Sequence, residues 1–379
     1  MRPTLSAAVV LSFALFTAAC GSGERSSATS AELRSAASRD SMAGGNKVIG
    51  VMTRNLYLGA DLGPVIAAQN LSQFVGAASA AWAMVQKNDF HTRVHALVAE
   101  IAKRRPALVG LQEAFTWHTV SRVDGKATVV YDYIPELLAA LAVRGLEYRL
   151  AAQVELLQFQ APTVFGFDVR TTDHGAILAR EDVHTSNAVG KAFSDQNLLP
   201  LSILGTPLLV KRGYMTVDVK YRDESLRFVS THLESFHPAF RQLQAAELAT
   251  VLAGDARPVI LVGDLNSHPG TEGEAILAAA GFEDVWPALH PTRPGFTCCF
   301  LEDLTKTQGA ALSERIDYVL TRGALRPGKA SVLGAKRSSR VDGLWPSDHA
   351  GVLAAVRIAG REDGEDREDR EDGEDGGED

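Results

Sequence analysis

Residues Val259 to Pro269 read Val-Ile-Leu-Val-Gly-Asp-Leu-Asn-Ser-His-Pro, an apolar run that ends abruptly in a carboxylate and a carboxamide. The run has the length and composition of a buried strand. Side chains alternate along a strand, so Asp264 and Asn266 are expected on the same side of the chain, at the edge of a sheet. Because Asp and Asn also begin turns, this stretch alone leaves a simple turn open.

Five further apolar segments end in polar residues of the same kind. These residues are Asn55, Gln112-Glu113, Thr231-His232, Arg315-Ile316-Asp317 and Ser347-Asp348-His349. Carboxylate and amide oxygens suit a hard divalent cation, and imidazoles beside them move protons or bind phosphate. The set does not suit zinc in a thiolate cage.

Taken in order, these six motifs resemble the endonuclease/exonuclease/phosphatase superfamily, which includes DNase, apurinic endonucleases, inositol-polyphosphate 5-phosphatases and neutral sphingomyelinases. The resemblance extends from about Lys47 to Ile358. It implies an α/β fold, a four-layer α-β-β-α sandwich with the site at the top of two packed sheets. It also implies a phosphoesterase that depends on Mg²⁺ or Mn²⁺.

The resemblance assigns the metal and the attacking water to five residues. Glu113 is expected to be the principal metal ligand, with Asn55 beside it and Asp348 as a further ligand. Asp264 is expected to orient or deprotonate the water that attacks phosphorus. Asn266 is expected to hold a phosphate oxygen or Asp264 itself. Caps or turns are the alternative for Asn55, Glu113 and Asp348.

Two histidines complete the expected site. His349 is expected to act as a general acid/base or as a cation that stabilises phosphate, with Asp317 fixing its tautomer. His232 is expected to protonate the leaving oxygen. In the resemblance, a histidine at this strand separates the chain from the apurinic-endonuclease branch. His174 is expected either to line the cleft or to lie on the surface.

The spacing of apolar residues predicts alternating helices and strands. Helices are predicted over His91–Arg104, Asp132–Val143 and Phe240–Leu252. Strands are predicted over Val48–Met52, Ala107–Leu111, Tyr148–Leu156, Gly175–Ala179, Tyr214–Val219, Leu226–Ser230 and Val259–Val262. The apolar stretch Asn187–Leu209 is either a core hairpin or an exposed loop that contacts a lipid surface.

The N-terminal residues resemble a secretion signal. Leu5 to Phe16 form a short apolar run after Arg2, and Thr17-Ala18-Ala19 precede Cys20. This pattern predicts a lipoprotein-type signal peptide over 1–20 with a lipid anchor on Cys20; plain secretion and a cytosolic protein are the alternatives. A flexible tether is predicted over 21–46 and the catalytic domain over 47–360. We therefore expect a secreted or cell-envelope protein of a bacterium.

The acidity of the chain lies in its last residues. The segment from Arg361 to Asp379 holds 12 acidic residues and 3 arginines, whereas the net charge of the whole chain is −8. A disordered, solvated tail is predicted over 361–379, with concentration of cations as the alternative. The remainder is close to neutral, which argues mildly against a tight nucleic-acid binder.

Cysteine usage gives little further constraint. Besides Cys20, the chain contains only the adjacent pair Cys298-Cys299. In an oxidising compartment this pair forms a vicinal disulfide, stays unpaired or caps a loop.

Three functions remain open from the sequence. The first is a phosphodiesterase acting on extracellular nucleic acid, and the second is a phospholipid or sphingolipid phosphodiesterase. A small phosphodiester is a further possible substrate. The third function is a catalytically inert binding protein that reuses the fold. We expect a monomer that contacts the membrane through its lipid anchor.

Overall fold

A computed structural model describes residues 47–222, 224–308 and 311–358. The predicted signal peptide, tether and acidic tail lie outside the described residues. Within the described part of the chain, no helix is both long enough and apolar enough to cross a membrane.

The strands cover most of the fold. In chain order they are β1 Lys47–Asn55, β2 Leu108–Gln112, β3 Thr116–Ser121, β4 Ala127–Asp132, β5 Tyr148–Pro162, β6 Phe167–Arg180, β7 His184–Ala192, β8 Leu199–Ile203, β9 Thr206–Val210, β10 Gly213–Tyr221, β11 Glu224–His232, β12 Val259–Asp264, β13 Glu283–Asp284, β14 Asp317–Arg322, β15 Leu325–Leu333 and β16 Gly351–Ile358.

The helices lie between strands along the chain. They are α1 Gly63–Ile66, α2 Leu71–Lys87, α3 Phe90–Arg104, α4 Tyr133–Val143, α5 Pro238–Ala253, α6 Glu272–Ala279 and α7 Val285–Leu289. Side chains of Asn70 and Asp89 accept hydrogen bonds from backbone amides at the starts of α2 and α3, and so satisfy donors that the helices leave unpaired.

The strands form two large sheets and one small one. The first sheet has the order β15-β16-β1-β2-β6-β3-β4, with β5 paired to β6. The second has the order β13-β14-β12-β11-β10-β7, and β8 and β9 form a separate two-stranded sheet.

The two large sheets pack face to face, and helices cover their outer faces. Ile260 and Val262 of β12 lie in the core between the sheets, whereas Leu261 packs outward against α5 and α6. Likewise Leu108 of β2 faces the core between the sheets, and Val109 packs against the helices α2 to α4. Because both faces of these strands are buried, their sequences are continuously apolar. The fold is the predicted α-β-β-α sandwich.

The two sheets approach each other closely at Gly110 of β2. A Cβ atom at this position would lie 2.5 Å from Cγ2 of Val262 and 2.6 Å from Oγ of Ser230 on the opposite sheet. A side chain would therefore push the sheets apart, three residues before Glu113. Glycine at 110 sets the separation of the two sheets just below the site.

The strand ends bring the predicted site residues to one edge of the sandwich. Parallel pairing of β1 with β2 places Asn55 opposite Gln112. On the other sheet, parallel pairing of β11 with β12 places His232 opposite Asp264, and antiparallel pairing of β12 with β14 places Asp264 opposite Asp317. Residues from distant parts of the sequence thus share one edge.

The predicted helices and strands agree with the structure to within a few residues at most ends, although β5 and β6 are longer than predicted.

The stretch Asn187–Leu209 is more complex than either alternative. Its residues Phe193 and Leu198 are buried in the core beside α5. The hairpin β8–β9 follows, and it presents one face to a cavity instead of to a closed core.

Candidate active site

Asn55 connects the two sheets at the edge where the strands end. Its Nδ2 donates hydrogen bonds to Oε1 of Glu113 and to Oδ2 of Asp264, both at 3.1 Å. Its Oδ1 accepts a hydrogen bond from the backbone amide of Tyr57, and the amide of Leu58 donates to Oε2 of Glu113. The carboxamide therefore holds one carboxylate from each sheet in a fixed position.

The donor set fits a divalent cation. Ligand atoms of Asp264, Asp317 and His349 all lie within 4.8 Å of one another. Oδ1 of Asp317 is buried and has no hydrogen-bond partner among the described residues. Glu113 and Asp348 line the adjacent cavity, and burial together with the charge of Glu113 raises the pKa of Asp348. Clustered carboxylates of this kind are stable when a cation neutralises them.

Asp264 has the electrostatic properties of a base near neutral pH. Burial raises its pKa to about 7; the neighbouring charge of Asp317 also raises it, and His349 opposes the rise. The backbone amide of Asn266 donates to Oδ1 of Asp264 at 2.9 Å. A pKa near the working pH suits a group that accepts a proton from water.

His349 is held by an acidic partner. Its Nδ1 lies 2.9 Å from Oδ2 of Asp317, and its Nε2 lies 3.8 Å from Oδ2 of Asp264. Burial would lower the pKa of His349, but the charges of Asp317, Asp348 and Asp264 outweigh burial and raise it well above its usual value. The contact that the sequence predicts between Asp317 and His349 is present.

His232 is held by a basic partner. Nη1 of Arg212 lies 3.1 Å from its Nδ1, and Nε2 of His232 lies 3.6 Å from Oδ2 of Asp264. Because a guanidinium only donates, Nδ1 accepts and the proton of the neutral ring is assigned to Nε2. Burial lowers the pKa of His232 well below its usual value, and the charges of Arg212 and His349 lower it further.

Asp348 lies in the loop before β16, and Asn266 lies in the turn after β12. Burial raises the pKa of Asp348 to about 6, with His349 opposing the rise. Nδ2 of Asn266 donates to the backbone oxygen of Leu233 at 3.0 Å, so its carboxamide ties the end of β12 to the end of β11. Asn266 contacts Asp264 through its backbone amide, whereas the sequence hypothesis used the side chain.

Two buried arginines position the site, and the sequence reasoning did not identify either. Nη1 of Arg93 donates to the backbone oxygens of Leu56 and Pro346, which lie in the turns that carry the site residues. Nη1 of Arg54 donates to the backbone oxygen of His349 at 2.6 Å. Arg93 falls on the buried face of α3, and a charged residue at such a position was the available signal.

Arg212 and Asp173 were also missed. The guanidinium of Arg212 lies 3.9 Å from Asp173 and 4.0 Å from Glu234. Burial raises the pKa of Asp173 to about 7; Arg212 opposes the rise and Glu113 adds to it. His174, which follows it, is half-buried, and its Nδ1 lies 3.2 Å from the backbone oxygen of Ala114.

Cys298 and Cys299 are joined as a vicinal disulfide. The Sγ atom of buried Cys298 lies 3.6 Å from Nε2 of His349. Of the alternatives that the sequence left open for the cysteine pair, the structure has the disulfide, and it places one sulfur against the site.

A cavity of about 320 Å³ opens beside Glu113 and Asp348. Its size is typical of sites for small organic molecules. The helix α1, the strand β5 and the hairpin β8–β9 contribute most of its apolar wall.

The sequence matches a model of a known protein family. A sequence model described as the Endonuclease/Exonuclease/phosphatase family matches residues 83–349. This match covers more than half of the chain and includes Glu113, His232, Asp264, Asp317 and His349. The comparison with curated proteins gives no significant match.

Solved structures show the same fold. An endonuclease/exonuclease/phosphatase family protein from Bacteroides thetaiotaomicron has 16% identity and a TM-score of 0.54, over 83% of this chain and 100% of that chain. The corresponding protein from Bacteroides vulgatus has 13% identity and a TM-score of 0.52, with the same coverage. A protein from Beutenbergia cavernae DSM 12333, described as endonuclease/exonuclease/phosphatase, has 19% identity and a TM-score of 0.52, over 83% of this chain and 72% of that chain. At these identities the likeness concerns the fold.

Proposed function

Because the chain belongs to the endonuclease/exonuclease/phosphatase family, whose members are typically hydrolases of phosphate esters, we propose that it is a phosphodiesterase dependent on Mg²⁺ or Mn²⁺. One observation carries the proposal. Nε2 of His232 and Nε2 of His349 lie 3.6 and 3.8 Å from the same oxygen, Oδ2 of Asp264. A base and two nitrogen donors thus converge where a phosphate group would sit.

We place the cation at Glu113 and Asp348 and not within the cluster of Asp264, Asp317 and His349. In this proposal Asp264 and His349 transfer the protons of the reaction. Glu113 and Asp348 are the proposed carboxylate ligands, and Asn55 is a further ligand or orients Glu113. A divalent cation supplies charge neutralisation on the phosphoryl oxygens when it is bound. The family generally uses a divalent metal, which agrees with this assignment.

The reaction is a displacement at phosphorus. Oδ2 of Asp264 accepts a proton from water as the water oxygen forms a bond to phosphorus. The bond between phosphorus and the leaving oxygen breaks, and the leaving oxygen takes up a proton. The products are a phosphate monoester and an alcohol, and no oxidation or reduction takes place.

The charges around the two histidines favour different roles for them. Asp317 stabilises a cationic His349, which suits a donor of a whole proton to the leaving oxygen. Arg212 disfavours a cationic His232, so we assign to its Nε2–H a hydrogen bond to a phosphoryl oxygen. The sequence hypothesis gave the leaving-group proton to His232. Both assignments are predictions, and substrates with different leaving groups distinguish them.

A comparison of esters tests the proposal. We expect purified protein with Mg²⁺ to hydrolyse bis(p-nitrophenyl) phosphate faster than p-nitrophenyl phosphate, and chelator to abolish turnover. Plasmid DNA and sphingomyelin are assayed in parallel, since nucleic acid is the alternative substrate. An Asp264→Asn variant is the matched control, because it keeps the shape of the side chain and removes the base. Absence of turnover with every ester would favour an inert binding protein.

The cellular location is part of the proposal. The apolar run and Cys20 support a bacterial cell-envelope lipoprotein. We propose in addition that its catalytic domain is a monomer. Labelling of cells with a palmitate analogue tests this assignment. We expect a labelled band of the full-length protein that a Cys20→Ala variant lacks, while sedimentation of the purified domain gives the mass of one chain.

A further inference from the structure

The cavity beside the proposed metal ligands has an apolar wall that the hydrolysis of a phosphate group does not require. Leu62 and Ile66 of the α1 region, Phe159 of β5, and Phe115 all line it. These side chains come from distant parts of the sequence and face the same space. Removal of this apolar surface from water is favourable, so an apolar group that covers it would bind there.

The hairpin β8–β9 forms a further side of the cavity, with alternating residues. Ile203 and Leu208 line the cavity, whereas Leu204 and Leu209 are exposed on the hairpin, 42% and 36% respectively. Successive side chains of a strand point to opposite faces, so one face of the hairpin serves the cavity. Leu208 and Leu209 therefore form a matched pair, since only Leu208 lines the cavity.

Charged side chains also line the cavity, and several of them belong to the candidate active site. Glu113, Asp348 and Arg212 mark the reaction site, while Asp61 and Glu302 add negative charge. A ligand that fits this lining carries one phosphate group beside the site residues and an apolar group against the apolar wall.

We propose that the cavity binds an alkyl or acyl chain of the substrate, so that the preferred substrate is a phosphodiester with a hydrophobic alcohol. This inference rests on the proposed phosphodiesterase function and specifies its substrate class. The chain occupies the space between the helix α1 and the hairpin β8–β9, and the phosphate lies against Glu113, Asp264 and the two histidines.

Nucleic acid fits this cavity less well. A nucleobase has several hydrogen-bonding groups. Burial against leucine and isoleucine side chains would leave these groups unpaired, at a cost in affinity. The lining contains five acidic residues, Asp61, Glu113, Asp173, Glu302 and Asp348, against the two cations Lys211 and Arg212. Polynucleotide binding relies on lysine and arginine side chains at several successive phosphates, and among the described residues the lining offers only these two.

A series of soluble diesters tests the proposal. Methyl, butyl and octyl p-nitrophenyl phosphates share one leaving group and differ only in the chain that stays on phosphorus. Each buried methylene group raises affinity by about fourfold. We therefore expect kcat/KM to rise at least tenfold from the methyl to the octyl ester. The p-nitrophenyl ester of thymidine 5′-phosphate is included as the nucleotide arm.

Adjacent residues of β9 provide the variant and its control. We expect Leu208→Asn to lower the ratio of octyl to methyl kcat/KM about tenfold, and Leu209→Asn to leave it unchanged. Equal ratios in wild type, Leu208→Asn and Leu209→Asn would overturn the proposal. So would preference for the nucleotide ester with no dependence on chain length. Vesicles of phosphatidylcholine then separate a bilayer lipid from a dissolved amphiphile as the source of the chain.

Binding separates failure of this inference from failure of the proposed function. Alkylphosphonates are not cleaved at phosphorus, so their affinity for the wild-type protein is measured by calorimetry without turnover. If no ester is hydrolysed but octylphosphonate binds at least tenfold tighter than methylphosphonate, the cavity binds a chain and the proposed reaction is wrong. If the esters are hydrolysed and the affinities of both phosphonates are equal, the chain site is wrong and the proposed reaction stands.

Discussion

Nδ1 of His349 lies 2.9 Å from Oδ2 of Asp317, and both side chains are buried. Asp317 begins β14 opposite Asp264 of β12, so the strand register brings its carboxylate to the site. Because Oδ2 of Asp317 is an acceptor, the imidazole carries a proton on Nδ1 and donates it to this hydrogen bond. The ring is thereby oriented with Nε2 toward Asp264. The orientation of His349 therefore depends on the pairing of two strands and on a carboxylate 32 positions earlier in the sequence.

Replacement of Asp317 tests this dependence. We expect Asp317→Asn to lower kcat by about 100-fold or more, because the amide neither fixes the tautomer nor stabilises a cationic imidazole. Nitrogen chemical shifts of His349 measure the change of tautomer directly. The exposed Glu283→Gln change, on the neighbouring strand β13, is the control and should have wild-type kcat. Wild-type shifts and kcat in Asp317→Asn would contradict the assignment.

The metal assignment predicts a change in binding as well as in turnover. We expect Glu113→Gln to weaken Mg²⁺ or Mn²⁺ binding by at least tenfold and to abolish turnover, because a neutral amide replaces the charged ligand. Calorimetric titration with Mn²⁺ measures the affinity. The control is the exposed Glu155→Gln variant. Full turnover of Glu113→Gln in Mg²⁺, or turnover in chelator, would show that the ligand was wrongly chosen.

Much of the fold was predictable from the sequence because its central strands are buried on both faces. Strands such as β12 are continuously apolar and end at a polar residue, so their position and their end were both visible. By contrast, β7 is mostly exposed and polar, and its pairing with β10 depends on tertiary contacts. The helix α2 was missed because half of its buried residues are small, namely Ala78, Ser79 and Ala81, and small residues give a weak periodic signal.

The site was predictable where a motif ends a strand, and not where an isolated residue supports it. Asn55, Glu113, His232 and Asp264 follow apolar runs, and the fold brings them to one edge. Arg212 acts through contacts with residues far away in sequence, so no local pattern marks it. Arg93 is marked only by its place on the buried face of α3. The cavity beside Glu113 was equally invisible, because its wall comes from separate segments that meet only in the folded protein.

The pair of His232 and Arg212 predicts a defined tautomer. We expect Arg212→Met to remove the donor at Nδ1, to mix the two neutral tautomers of His232 and to lower kcat by about tenfold or more. Nitrogen chemical shifts of His232 at neutral pH report the tautomer. Arg257→Met is the control, since Arg257 pairs with Asp218 and Asp255 in the same sheet region, away from His232. Unchanged His232 shifts in Arg212→Met would refute the role of Arg212.

The ion pair between Asp303 and Lys87 predicts a dependence of stability on pH. Burial raises the pKa of Asp303, but hydrogen bonds from Lys87 and Thr305 outweigh burial and lower it from 3.8 to about 2. A carboxylate with a depressed folded pKa stabilises the protein above its unfolded pKa, and this contribution is lost as pH falls through the folded pKa.

The variant Asp303→Asn measures this contribution. Because Lys87 is half exposed, we expect the free energy of unfolding at pH 7 to fall by only about 1 kcal/mol. The difference from wild type should be constant down to about pH 5 and should shrink between pH 4 and pH 2. Urea unfolding across this range is the measurement, with Lys87→Met as the matched variant. A difference that grows below pH 4 would contradict the linkage.

The two histidines are separated by the leaving group of the substrate. A nitrophenolate departs without a proton, whereas an alkoxide needs one, so loss of the proton donor matters most for alkyl leaving groups. Asp317 stabilises a cationic His349. We therefore expect His349→Ala to lower kcat by about 1000-fold with a dialkyl phosphate and by about 100-fold with a nitrophenyl ester. We expect His232→Ala to lower kcat by about 100-fold with both esters, since a hydrogen bond to a phosphoryl oxygen is needed whatever group leaves. Steady-state kinetics on the two esters with saturating Mg²⁺ gives the four ratios, and metal affinity of each variant is the control. Rescue of His232→Ala by the nitrophenyl ester, with equal losses for His349→Ala on both esters, would return the role of leaving-group acid to His232.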